Sequence, residues 1–166
     1  KDMFANIYAI IVISLAAVTL SADHAVTFTN NYGLGVRPII KNTADSVTYT
    51  RPWLGGGQSW FSSIAENWPS GIMVGQTNEK QGADCVGCTR LECDFSTSNF
   101  RNCNLLRVAG FHIRMSFSWT AGGYTGATCN SPSCPPSDAW NPNPDDASSL
   151  RVFNTPRVDI TVVFCP

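Results

Sequence analysis

Helical periodicity is missing from residue 23 onward: no three-turn stretch carries apolar residues at i, i+3, i+4 and i+7. That excludes helical bundles and βαβ architectures. Charge is scarce and balanced, with 11 basic and 12 acidic residues and a net charge of −1. No basic field exists for nucleic acid or an anionic membrane. Histidine is limited to His24 and His112. No phosphate-cradling loop or dinucleotide fingerprint occurs, and Gly57-Gln-Ser59-Trp60 lacks the second glycine of a nucleophile elbow. Nothing favours a Ser-His-Asp triad, and no cofactor is expected. The longest apolar run, residues 7–20, stops short of the roughly 20 residues that span a bilayer.

That run has another use. It precedes Ser21 and Ala22 and follows a short segment holding Lys1. An apolar core followed by small residues reads as a secretory leader over 1–22, with Leu20 and Ala22 at the recognised cleavage positions. Residues 23–166 then form one domain, secreted or in a cell wall and free of the membrane after cleavage.

What remains is rich in β signals. Thirteen glycines and ten prolines punctuate short runs of β-branched and aromatic residues. In the final run Val158, Ile160, Val162 and Phe164 alternate with Asp159, Thr161 and Val163, the period of a half-buried strand. Its best partner is 25–31, where Val26 and Phe28 alternate with Thr27 and Thr29. Further strands are expected over 36–41, 46–50, 58–64, 72–77, 89–95, 111–119 and 150–153. Over 111–119, Phe111, Ile113, Met115, Phe117 and Trp119 share one face, and His112 falls on the other. Residues 120–146 read as one long turn-rich segment. About nine strands without helices predict an all-β, antiparallel β-sandwich stapled by disulfides.

Seven cysteines follow the leader: Cys85, Cys88, Cys93, Cys103, Cys129, Cys134 and Cys165. In that compartment they read as disulfides. Cys85-x-x-Cys88 also has zinc-ligand spacing. No second such pair exists, and neither histidine is near it in sequence, so no metal site is expected. Seven is odd, so at least one thiol lacks an intrachain partner.

The landmarks occur in an order that resembles one family. Gly57-Gln-Ser-Trp60, Ile72-Met-Val-Gly-Gln-Thr-Asn78, Gly110-Phe-His-Ile-Arg-Met-Ser-Phe-Ser118, Gly126-Ala-Thr-Cys-Asn-Ser-Pro-Ser-Cys134 and the terminal Phe164-Cys-Pro166 resemble thaumatin-like proteins, the small secreted fungal ones most. The resemblance implies a β-sandwich with an acidic cleft that binds β-glucan. It also implies a departure. The family's first cysteine, which closes onto the terminal Phe-Cys-Pro, is Tyr32 here. Cys165 is then the odd thiol, or it takes another partner and the odd one lies in the 85–103 cluster.

The acidic cleft carries over only in part. Asp94, before Phe95, matches the carboxylate of a Leu-x-Glu-Phe strand. Two further acidic positions hold Asn104 and Ala109. Glycoside hydrolysis needs two carboxyl groups flanking the scissile bond, so the chain reads as non-enzymatic. Glu92 and Asp94 share a strand face and are candidate binding acids. Trp53, Trp68, Tyr124 and Trp140 sit in loops, where aromatics can stack on sugar rings or cap the sandwich ends. The expected function is carbohydrate binding, with cell-wall β-glucan as the partner. The alternatives are an extracellular structural protein that self-associates through strand edges or the odd thiol and, last, a weak β-glucanase.

Overall fold

Alternation of apolar and polar residues sets the two layers of this computed structural model, which describes residues 23–42, 44, 48–82, 84–120, 126–141 and 147–166. The leader expected over 1–22, Tyr124, and Pro142 and Pro144 lie outside those residues. Twelve strands are described: β1 (His24–Asn30), β2 (Arg37–Asn42), β3 (Thr48–Thr50), β4 (Ser59–Ile64), β5 (Gly71–Gln76), β6 (Arg90–Asp94), β7 (Arg101–Leu106), β8 (Met115–Trp119), β9 (Ala127–Cys129), β10 (Ala139–Trp140), β11 (Arg151–Phe153) and β12 (Ile160–Phe164). One 3-10 turn, Ala147–Ser149, interrupts them.

A five-stranded sheet runs β4-β1-β12-β8-β9. A seven-stranded sheet runs β10-β7-β6-β5-β2-β3, with β11 paired to β7. β1 and β12 do pair, as their matching alternation predicts. They run parallel, with Val26 opposite Ile160 and Phe28 opposite Val162. β10 and β7 are also parallel. The sandwich is therefore mixed, and its remaining pairs are antiparallel. Alternation reads the face of a strand but not its direction, because both ladders share period two.

β1 sends Val26 and Phe28 inward, β12 sends Ile160, Val162 and Phe164, and β8 sends Met115, Phe117 and Trp119. Ile40, Met73, Leu91 and Leu105 meet them from the other sheet, all fully buried. Phe28 lies stacked between Trp60 and Phe164, with ring centroids at 5.3 and 6.0 Å. Gly75 leaves room for this packing, since a Cβ there would sit 2.6 Å from the Phe164 ring. At roughly 25 cal/mol per Å² of apolar surface, each such buried aromatic contributes about 1.5–3 kcal/mol.

Several elements depart from the sequence reading. The strand expected over 111–119 starts only at Met115. β7 carries Asn102 and Asn104 among its residues and has no clean alternation, so it was not expected. β9 and β10 fall within the segment read as turns. Both are short and borrow their order from neighbours, which local propensity does not report.

Six cysteines pair locally: Cys85 with Cys88, Cys93 with Cys103, and Cys129 with Cys134. Cys165 is free and buried. Its N–H donates to the Arg114 carbonyl, and the Asn31 N–H donates to the Phe164 carbonyl beside it. Because it is buried, linking two chains through it would need local opening.

Candidate functional site

Strand register assembles a cleft on the outer face of the seven-stranded sheet. Arg90 and Glu92 are two apart on β6, so both point outward while Leu91 enters the core. Arg90 stands opposite Leu106 of β7, and Leu106 stands opposite Trp140 of β10. Glu92 stands opposite Asn104. The turn after β7 adds Val108 and Ala109. Arg90, Glu92, Leu106, Val108, Ala109 and Trp140 line an open cleft of about 230 Å³.

The cleft has one carboxylate. Burial pushes the Glu92 carboxyl above its ordinary value of 4.5, and Asp94 pushes the same way, while the Arg90 guanidinium opposes both. Arg90 Nε is buried with no hydrogen-bond partner among the described residues. Asn104 and Ala109, the positions read as lacking the family's acids, are both here, opposite Glu92 and in the cleft wall.

Asp94 is placed differently. Its Oδ1 accepts the Ser96 N–H at 2.9 Å and the Ser96 hydroxyl at 2.6 Å, so it holds the turn between β6 and β7. It lies on the same face as Glu92 but outside the cleft lining. The two carboxyls stand side by side along a strand and do not face each other across a substrate space.

The other expected aromatics scatter. Trp53 is 38% exposed, with the Arg37 guanidinium 5.2 Å from its ring centroid. Trp68 is 5% exposed and covers Gly71. It forms part of a larger cleft of about 590 Å³ with Asp23, Asn42, Tyr49, Ser63 and Asn67. That cleft borders residues outside the described set. A third hollow, of about 340 Å³, places Glu66 beside Arg101, whose Nη2 is 3.4 Å from Glu66 Oε1. We take the Glu92 cleft as the site, because a half-buried acid, an arginine and an aromatic converge there.

His112 differs from expectation. Read as an outward surface residue, it is partly buried. Its Nδ1 accepts the Thr89 N–H at 3.1 Å and its Nε2–H donates to the Gly75 carbonyl at 2.8 Å. Burial lowers its pKa. These bonds bring it beside Cys85 and Cys88, and the donor atoms of all three lie within 4.8 Å of one another. Sequence distance had argued against that meeting. His24 is fully buried, with Nδ1 accepting the Val158 N–H at 3.1 Å and Nε2 at 3.0 Å from the Glu66 carbonyl oxygen.

No family model matches the sequence, and no curated protein matches it. Solved structures do match. The thaumatin-like xylanase inhibitor TLXI overlays with a TM-score of 0.65, covering 85% of this chain and 99% of its own at 16% identity. The fold is thaumatin-like. The protein elicitor MoHrip2 from Magnaporthe oryzae overlays with a TM-score of 0.63, covering 86% of this chain and 99% of its own at 13% identity. At these identities the likeness carries the thaumatin-like fold alone. It agrees with the order of sequence landmarks from Gly57 to Pro166.

Proposed function

We propose that this chain is a secreted, non-enzymatic thaumatin-like protein that binds a carbohydrate, with cell-wall β-glucan as the first candidate, in the cleft of Arg90, Glu92 and Trp140. The convergence of Glu92 and Trp140, 48 residues apart in sequence, on one cleft with Arg90 carries the reading. An aromatic face beside hydrogen-bonding polar groups is the chemistry that holds a sugar ring. Hydrolysis would need a second carboxyl across the bond. Asn104 and Ala109 occupy the places where one could stand, and Asp94 holds a turn.

Pull-down of the folded protein on insoluble β-glucan tests this. Retention is expected, with Trp140→Ala and Glu92→Gln each weakening it several-fold and no reducing sugar released. Unchanged retention in both variants would place binding elsewhere, and no retention on any polysaccharide sinks the proposal. Because one neighbour is a xylanase inhibitor, inhibition of a xylanase belongs in the same series. Inhibition without polysaccharide retention would replace the sugar by an enzyme.

Edge strand β4 supports a second reading. Among the described residues no strand pairs with its outer side, and Phe61 at its centre is 72% exposed. A neutral, exposed edge bearing an aromatic is a template for pairing with a second copy. Self-association through β4 is then abolished by Phe61→Lys, read by light scattering. A monomer at all concentrations excludes it.

A further inference from the structure

A small apolar patch on the outer face of the seven-stranded sheet joins Ile39, Ile72 and Val74 to Cys85 and Cys88. The loop carrying the cysteines folds over this patch. Two glycines then let the chain before β8 reach it. Gly110, at φ 135°, packs so closely on Gly87 that a Cβ would come 2.7 Å from the Gly87 carbonyl oxygen. This approach delivers His112 to the pair, and the three donor atoms lie within 4.8 Å.

We propose that Cys85, Cys88 and His112 form a binding site for a thiophilic cation such as Zn2+, which the disulfide closes and reduction opens. Cys-x-x-Cys spacing on a turn suits two thiolate ligands of one ion. His112 is oriented as metal-bound histidines are, with one ring N–H held by a backbone carbonyl, here that of Gly75 at 2.8 Å. That leaves the Nδ1 lone pair on the far side of the ring, accepting only the Thr89 N–H at 3.1 Å. A metal would take the place of that single amide. Zinc–ligand bonds of about 2.0–2.3 Å put tetrahedral donors about 3.5–3.8 Å apart. Opening the S–S bond and shifting the donors by about 1 Å meets that spacing.

Charge favours the ion as well. The two thiolates neutralise a divalent cation, so the complex adds no net charge to the apolar patch. The fourth position is left for water. Val86, between the two cysteines, is 77% exposed, while Cys85 and Cys88 are themselves buried, so an ion enters only as the loop opens.

The chemistry balances with a thiol or phosphine reductant. A dithiol gives two electrons and two protons to the S–S bond and becomes a disulfide itself, leaving two cysteine thiols. Zn2+ then displaces two protons to solvent. A secreted protein would carry the closed form and take the metal only where reductant is present.

The test uses the full chain, oxidised and after phosphine reduction, titrated with Co2+ and Zn2+ under argon. Reduced protein is expected to give a sulfur-to-cobalt charge-transfer band that saturates at one equivalent and that oxidised protein lacks. Cys85→Ser/Cys88→Ser, which keeps the other four paired cysteines, should lose that band. His112→Gln should weaken binding at least about tenfold, the scale seen when even an outer partner of a metal ligand is removed. Alkylation mapping gives a second readout on unmodified protein, since Zn2+ should protect Cys85 and Cys88 and not Cys93 or Cys103. A band that persists in the double serine variant, equal affinity in His112→Gln, or no protection of Cys85 and Cys88 each overturns the proposal.

Discussion

Tyr32→Cys is expected to create a disulfide with Cys165 and to stabilise the fold by several kcal/mol. The resemblance to thaumatin-like proteins implies a bridge between these positions, and the register now supports the distance. Asn30 stands opposite Phe164, and the Asn31 N–H donates to the Phe164 carbonyl at 2.9 Å. Residues 32 and 165 follow directly on that pair. The three existing bridges span 3, 10 and 5 residues, so none links the two ends of the five-stranded sheet. Chain entropy gives about 5 kcal/mol for closing a loop of about 130 residues, against about 1.5–3 kcal/mol for each short one. Removing the Tyr32 ring from its place against the core offsets about 1–2 kcal/mol. A net gain of about 3 kcal/mol remains, within the observed spread for disulfides. Thiol titration in denaturant should fall from one free thiol to none. Urea midpoints should rise, and the rise should vanish with reductant relative to reduced wild type. A natively folded variant holding two free thiols would refute the geometric reasoning. A formed bridge with no change in midpoint would refute the entropic one.

Three further outcomes follow from packing and protonation. Glu92 has its folded pKa raised by burial, so the acid form is favoured in the fold and stability falls as pH rises above about 4.5. Glu92→Gln should therefore be more stable than wild type at pH 7, with the gap closing below pH 4 in urea titrations at both pH values. Gly75→Ala forces a methyl within 2.7 Å of both Phe164 and Val36 side chains. It should cost about 1–3 kcal/mol by overpacking, and Phe164→Leu in the same chain should recover part of that. His24→Ala strands the Val158 N–H and the Glu66 carbonyl. It should lower stability by about 1–3 kcal/mol, read by thermal unfolding, with no effect on glucan retention.

The inward and outward faces of β1, β8 and β12 were legible because each buries one side only. β7 was hidden by Asn102 and Asn104, which face outward and break the apolar rhythm. Their placement opposite Asp94 and Glu92 explains why asparagine is tolerated there. Within the candidate site, Glu92 and Trp140 were readable as residue types but not as neighbours. Their meeting depends on β10 pairing in parallel with β7, which no local signal reports. Trp68 was readable only as a loop aromatic; its burial follows from Gly71, whose missing side chain makes room for the ring. His112 was misread as exposed because alternation was extended beyond the strand that begins at Met115. In that irregular stretch the backbone turns the ring back toward Thr89 and Gly75.

β12 occupies the middle of its sheet, between β1 and β8. Its contacts with the first strand join residues 134 apart, as His24 and Val158 show. Neither neighbour can complete its ladder until that last strand arrives. On a ribosome, β1 and β4 can form a hairpin-like pair early, leaving Val26 and Phe28 facing solvent beside an unfilled edge. The five-stranded sheet therefore closes only once residues 160–164 are available, over a large loop-closure barrier. With no covalent link from Tyr32 to hold the ends together, the interval before closure is when this chain is most open to strand exchange and aggregation.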